Sequence, residues 1–212
     1  MKNLVFNFLF IGLLLPLFAF SEFKIVFIGD SITQGGFEYS DRNYVALTQE
    51  QLKEDGYDVK IVNYACAGTP TETSLQHMVD NLPLDIPDIV VISSGIVDAL
   101  YRTSPLKVKS NLSKMIELCF EHDAKVILGL INISCWPRIE SSYVTQFNKI
   151  YRDLSKVYSI RTFPFLNDLT LGNKEYNFGD LIHPSQKGDQ KIFQWLYPEI
   201  IHLLQKREKD DD

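Results

Sequence analysis

Three side chains in this chain have the types that nucleophilic catalysis requires. Ser31 follows an apolar run, Lys24-Ile25-Val26-Phe27-Ile28, and the turn residues Gly29-Asp30. A serine hydroxyl becomes a nucleophile only when a base takes its proton, and the base needs a third group to orient it. Asp180 and His183 are three residues apart and followed by Pro184. In a turn, that spacing lets the carboxylate meet Nδ1 of the imidazole while Nε2 points elsewhere. The remaining histidines fit this role less well. His77 and His202 fall in helical patterns, and His122 stands near a helix end beside Asp123. Acyl transfer also needs N–H donors for the oxyanion. The backbone N–H of Ser31 is one candidate. The N–H of Gly68, in the small-residue loop Ala65-Cys66-Ala67-Gly68-Thr69-Pro70, is another. A serine at a strand end is equally a common capping residue, so the constellation depends on the elements that carry it.

Those elements alternate. Short apolar runs bounded by turn residues read as buried strands at Lys24–Ile28, Val59–Asn63, Ile89–Ile92, Lys125–Leu130 and Arg161–Phe163. Helical patterns lie between them, at about 43–54, 71–81, 105–119 and 141–157, and a last helix spans about 184–206 with Pro198 expected to kink it. Val108, Leu112, Met115, Ile116 and Cys119 form an apolar stripe. Val45, Leu47 and Leu52, and then Leu75, Met78 and Val79, mark two other helices. This β-α alternation predicts an α/β fold: three layers, α/β/α, around a five-stranded parallel sheet. Ser31, the Gly68 loop, Ser94–Asp98 and Asn132–Trp136 then share the carboxyl edge of the sheet, and the Asp180–His183 segment can reach it.

The chain has 212 residues, 45% hydrophobic, with net charge −6 and pI about 5.2. That is enough for one domain with its own core. No basic cluster suggests nucleic acid or an anionic bilayer surface. Residues 1–21 differ from the rest. Lys2 is the only charge before Glu22, Leu4 to Phe18 is nearly all apolar, and Ala19-Phe20-Ser21 has the small residues of a cleavage site. We read residues 1–21 as a secretory signal peptide, 22–207 as one domain and 208–212 as a charged tail. An uncleaved anchor is the rival reading, but Asn7, Gly12 and Pro16 interrupt an apolar run already short of the ~20 residues that a spanning helix needs. The mature chain is therefore expected to be periplasmic or secreted, without a membrane span. Cys66, Cys119 and Cys135 fit no zinc spacing and read as small buried apolar residues. There is no P-loop, dinucleotide fingerprint or His-Glu-x-x-His motif, so no metal or cofactor is expected.

Taken together, these motifs make the chain resemble the SGNH, or GDSL-type, hydrolases, and among them the small exported bacterial thioesterases and lysophospholipases. Gly29-Asp30-Ser31-Ile32-Thr33 is similar to the first family block, Asn63 with Gly68 to the second, and Asp180-Leu181-Ile182-His183-Pro184 to the last. The resemblance implies a flavodoxin-like sheet, a Ser31-His183-Asp180 triad and an oxyanion hole that uses the N–H groups of Ser31 and Gly68. It implies small acyl esters, thioesters or lysophospholipids as substrates. One block departs. Gly95-Ile96-Val97-Asp98 carries Val97 where the family has an asparagine whose side chain gives a third oxyanion donor. Asn132 and Thr69 are candidates to replace it. Three functions are open: a serine hydrolase with a reduced hole, a catalytically weak or inactive protein that retains the fold and binds acyl or glycan ligands, and an O-acyltransferase. Phe37, Tyr39 and Trp136 could line an acyl groove or simply pack.

Overall fold

The computed structural model describes residues 23–35, 42–136 and 139–210. The expected signal peptide, the end of the charged tail, and Phe37 and Tyr39 lie outside them. Five strands form one sheet: β1 (Phe23–Gly29), β2 (Val59–Asn63), β3 (Ile89–Ser93), β4 (Lys125–Ile131) and β5 (Arg161–Leu166). All neighbours are parallel, in the order β2-β1-β3-β4-β5. This is the flavodoxin-like doubly wound order expected from the sequence. β1 and β3 are buried on both faces, which their near-continuous Val, Ile and Phe content requires. The chain leaves β1 toward one side of the sheet and returns to β3 on the other. The crevice at this switch point, at the carboxyl ends of β1 and β3, is where such sheets place ligands.

The helices are α1 (Ser31–Gln34), α2 (Tyr44–Glu54), α3 (Thr71–Asp85), α4 (Ile96–Tyr101), α5 (Pro105–Glu121), α6 (Ser141–Tyr158) and α7 (Gln186–Asp210). The α5 stripe expected from its spacing is wholly buried, and Pro105 opens the helix where its missing N–H costs nothing. Several boundaries differ from the sequence expectation. α3 continues past Asn81 to Asp85 because Leu82 extends the buried face of Met78 by one turn, and it tolerates Pro83 near its end. Val79 points to the exposed side instead of the core. α7 starts two residues late, runs unbroken across Pro198 and reaches Asp210. α1 and α4 are too short to show periodicity, and both lie directly after the strands that flank the crevice. Cys119 is buried as expected, but Cys66 is exposed and Cys135 half-buried, and all three are free thiols.

Candidate active site

β1 ends at Gly29, which pairs with Ser93 of β3. A Cβ at Gly29 would collide with the Thr33 side chain and lie 2.8 Å from the Ser93 carbonyl, so only glycine allows the chain to turn this tightly into α1. Asp30 is the N-cap, its Oδ1 accepting the Ile32 N–H at 3.1 Å. Ser31 is therefore the first residue of a helix, and its own N–H has no carbonyl partner within that helix. The other end of α1 is tied down by two amides: Asn43 and Asn63 both donate to the Thr33 carbonyl, at 3.0 and 2.9 Å. Asn63 thus joins the end of β2 to the segment carrying Ser31.

The loop after β2 carries Gly68 at φ +74°. Cys66 N–H donates to the Gly29 carbonyl at 3.2 Å, and Ala67 N–H donates to the Gln34 side chain at 2.8 Å. The loop is thus pinned to both the end of β1 and the end of α1. Thr69 donates its hydroxyl to the Cys66 carbonyl at 2.7 Å and is used inside this loop. Asn132 accepts from Ser134 N–H and from the Asn148 amide at 2.9 and 2.8 Å, which holds it in the loop after β4. The Thr69 hydroxyl is thus used within its own loop, while Asn132 is fixed through its oxygen by Ser134 and by Asn148 of α6. Val97 itself is 6% exposed, in the first turn of α4 and part of the apolar core.

Ser31 Oγ lies 2.8 Å from His183 Nε2, across 152 residues of sequence. His183 Nδ1 lies 2.6 Å from Asp180 Oδ2. Asp180 Oδ1 accepts the N–H groups of Ile182 and His183 at 2.9 and 3.0 Å. Partial burial pushes the Asp180 carboxyl upward, but those two N–H groups and the imidazole outweigh it and hold it below its ordinary value. Leu181 sits at φ +63°, the left-handed conformation that folds the turn so that one aspartate can meet both backbone and ring.

The sequence reading missed what supports that turn. Asn177 is 5% exposed, and its amide donates to the Thr170 carbonyl at 2.9 Å with longer bonds to the carbonyls of Ile182 and His183. Phe178 N–H donates to the His183 carbonyl at 2.9 Å, and Gly172 N–H donates to the Leu181 carbonyl at 2.8 Å. At Gly188 a Cβ would strike the Tyr176 carbonyl, so glycine lets α7 pack close under the turn. Only the buried amide in an irregular segment could have hinted at this, and nothing in its spacing distinguishes Asn177 from Asn167 or Asn173.

Asp98, at the departing block, has a structural task. It accepts Thr71 N–H at 2.7 Å and the Thr71 hydroxyl at 3.1 Å, capping α3, and Asn111 donates to the same hydroxyl at 3.0 Å. Burial pushes its carboxyl up despite those bonds. Gly95, at φ +130°, leaves room for the Tyr151 hydroxyl, which donates to the Ser94 carbonyl at 3.1 Å. Trp136 is half-buried against the core. Among the described residues no group of three or more His, Cys, Asp or Glu side chains could hold a metal, and no helix is long and apolar enough to cross a membrane.

Comparison with known proteins gives a consistent picture. The profile of the GDSL-like lipase/acylhydrolase family matches residues 27–191. An arylesterase of Vibrio mimicus is 28% identical over 181 residues, covering 85% of this chain and 90% of the relative. The esterase TesA of Pseudomonas aeruginosa is 26% identical over 180 residues, covering 85% and 89%. Among solved structures, a crystal structure of TesA superposes with a TM-score of 0.79 at 25% identity, covering 85% of this chain and 99% of that one. The psychrotrophic esterase EstA from Pseudoalteromonas sp. shares the fold, with a TM-score of 0.77 at 21% identity, over 86% and 98%.

Proposed function

The chain belongs to the GDSL-like lipase/acylhydrolase family and is an ester-hydrolysing enzyme, and from that premise we propose that it cleaves small acyl esters or thioesters, lysophospholipids included, through Ser31, His183 and Asp180. The observation that carries this reading is the unbroken chain of contacts from Ser31 Oγ to His183 Nε2 at 2.8 Å and from His183 Nδ1 to Asp180 at 2.6 Å.

In this mechanism His183 Nε2 takes the Ser31 proton as Oγ attacks the acyl carbonyl carbon. The carbonyl oxygen becomes an oxyanion held by the N–H groups of Ser31 and Gly68. Asp180 keeps Nδ1 protonated and stabilises the imidazolium. The intermediate collapses, the leaving oxygen or sulfur takes the proton from His183, and an acyl-serine remains. Water then attacks that ester, with His183 as base, and the acid is released. Val97 gives no side-chain donor. One such donor is worth about 10²–10³ in rate, so the enzyme is suited to esters with good leaving groups or works slowly on others. The same valine favours a second reading, a catalytically weak protein that binds acyl or glycan ligands without useful turnover. An O-acyltransferase would differ only in the final acceptor.

The test is an assay of residues 22–212 on a short-chain activated ester and an acyl thioester, beside Ser31→Ala. Turnover lost in the variant supports the triad. An inactive parent alongside an active Val97→Asn supports the binding reading, and analysis of the products separates hydrolysis from acyl transfer. We also propose that residues 1–21 export the protein. Fractionation of cells making the full chain, with the mass of the mature N-terminus, checks this.

A further inference from the structure

We propose that Asp30 serves as a neutral carboxylic acid, a positioning residue that caps α1 behind the nucleophile without charging the oxyanion site, and that its ionisation slows turnover in alkaline solution. This rests on the reading of Ser31 and its N–H given above. Asp30 is fully buried. Its Oδ1 accepts the Ile32 N–H, and its Oδ2 has no hydrogen-bond partner among the described residues. The neighbouring Ser93 side chain, on the strand residue paired with Gly29, is likewise buried, beside the Tyr44 hydroxyl. A buried polar atom left without a partner is costly, and a buried charge without a counter-ion far more so.

Among the described residues the surroundings offer no counter-ion. From α4 the nearest charge is Asp98, another carboxylate. From α2 comes Tyr44, whose hydroxyl bonds to Thr33 at 2.8 Å and whose backbone N–H is held by Asp189 of α7 at 3.1 Å. From α6 comes Tyr151, fully buried with its hydroxyl on the Ser94 carbonyl. Both phenols are pushed upward by burial and stay neutral. β3 contributes Ser93. On the far side of Ser31 stands His183. Among the described residues no lysine or arginine pairs with Asp30. Burial, with Asp98 adding to it, accordingly pushes the Asp30 carboxyl up to about 7.

The consequence lies in the geometry of adjacent amides. The Asp30 side chain accepts the N–H of Ile32, one peptide beyond the Ser31 N–H that faces the oxyanion. A neutral acid keeps this capping bond and leaves the amide dipoles to the reaction. An ionised one puts a second negative charge in the same low-dielectric pocket, where it repels the oxyanion. The oxyanion exists only in the transition state and intermediate, so kcat should register the effect.

The test compares the kcat–pH profile of the wild type with that of Asp30→Asn on a soluble activated ester. Asparagine keeps the acceptor oxygen and cannot ionise. Expected is a wild-type profile that falls by roughly tenfold or more above neutrality, and a variant profile without that fall. Asp30→Ser, a second uncharged cap, serves if the asparagine variant folds poorly. Infrared difference spectra of wild type minus variant at about pH 6 should contain a protonated-carboxyl band that fades toward pH 9. A fall that persists unchanged in the variants overturns the proposal, as does the lack of that band. The infrared measurement needs no turnover, so it judges Asp30 even if Ser31→Ala shows the triad reading to be wrong.

Discussion

Asp180 grips His183 at two points, with Oδ2 on the ring Nδ1 at 2.6 Å and Oδ1 on the backbone N–H at 3.0 Å. One side chain therefore sets both the path of the turn and the direction of the imidazole. Asp180→Asn keeps an acceptor for the backbone but presents an amide to Nδ1, favouring the wrong tautomer. We expect kcat to fall by about 10³–10⁴ with little change in folding, measured by steady-state kinetics beside circular dichroism. A loss below tenfold would remove Asp180 from the mechanism.

By its resemblance to the family block, Val97 occupies the position of a third oxyanion donor. Val97→Asn should raise kcat on alkyl esters by up to about 10²–10³ if the amide reaches the hole. Because the site is 6% exposed, an amide that misses the hole is left buried and unpaired, costing about 1–3 kcal/mol of stability. Rate and melting temperature measured on the same preparation separate the two outcomes.

Asn177 ties the His183 turn to the Thr170 carbonyl. Asn177→Ala takes this donor from the buried Thr170 carbonyl, so stability should fall by about 1–3 kcal/mol. kcat should fall as well, because His183 loses its fixed position. Urea denaturation and kcat measured together check this. Lost stability with unchanged kcat would make Asn177 a purely structural residue.

Asp189 is buried near the start of α7, and burial raises its carboxyl to about 7 even though it accepts Tyr44 N–H. An unfolded aspartate ionises near 4. Between about pH 4 and 7 the unfolded chain therefore releases this proton first, and stability falls as pH rises through that window, then levels off. For a carboxyl this well buried the effect is on the order of a few kcal/mol. Asp189→Asn should flatten that part of the stability–pH curve and be more stable than the wild type near pH 8. Denaturation at several pH values measures it, and an unchanged slope refutes the assignment.

Much of the architecture is legible in the sequence. β1 and β3 must be buried because their side chains are apolar on both faces. The α5 stripe must face the core because Val108, Leu112 and Cys119 recur at the helical period. Asp180 and His183 are local partners, so their three-residue spacing already carried their contact. Ser31, Gly68 and Val97 could be placed just beyond strand ends at one sheet edge because parallel strands bring all their carboxyl ends together.

The rest depended on the tertiary structure, because it involves contacts that no local pattern encodes. Ser31 and His183 meet across 152 residues, and the bonds that hold the turn, with the packing of α7 beneath it, set their distance. α1 and α4 are shorter than a period can reveal. Asn177 looks like any loop asparagine until the carbonyls around it are known. Asp30 is the sharpest case. By type it is a solvated, charged residue, and its identity says nothing of the β3, α2, α4 and α6 atoms that close over it. Its burial, and with it the chemistry of its carboxyl, is a property of the assembled fold.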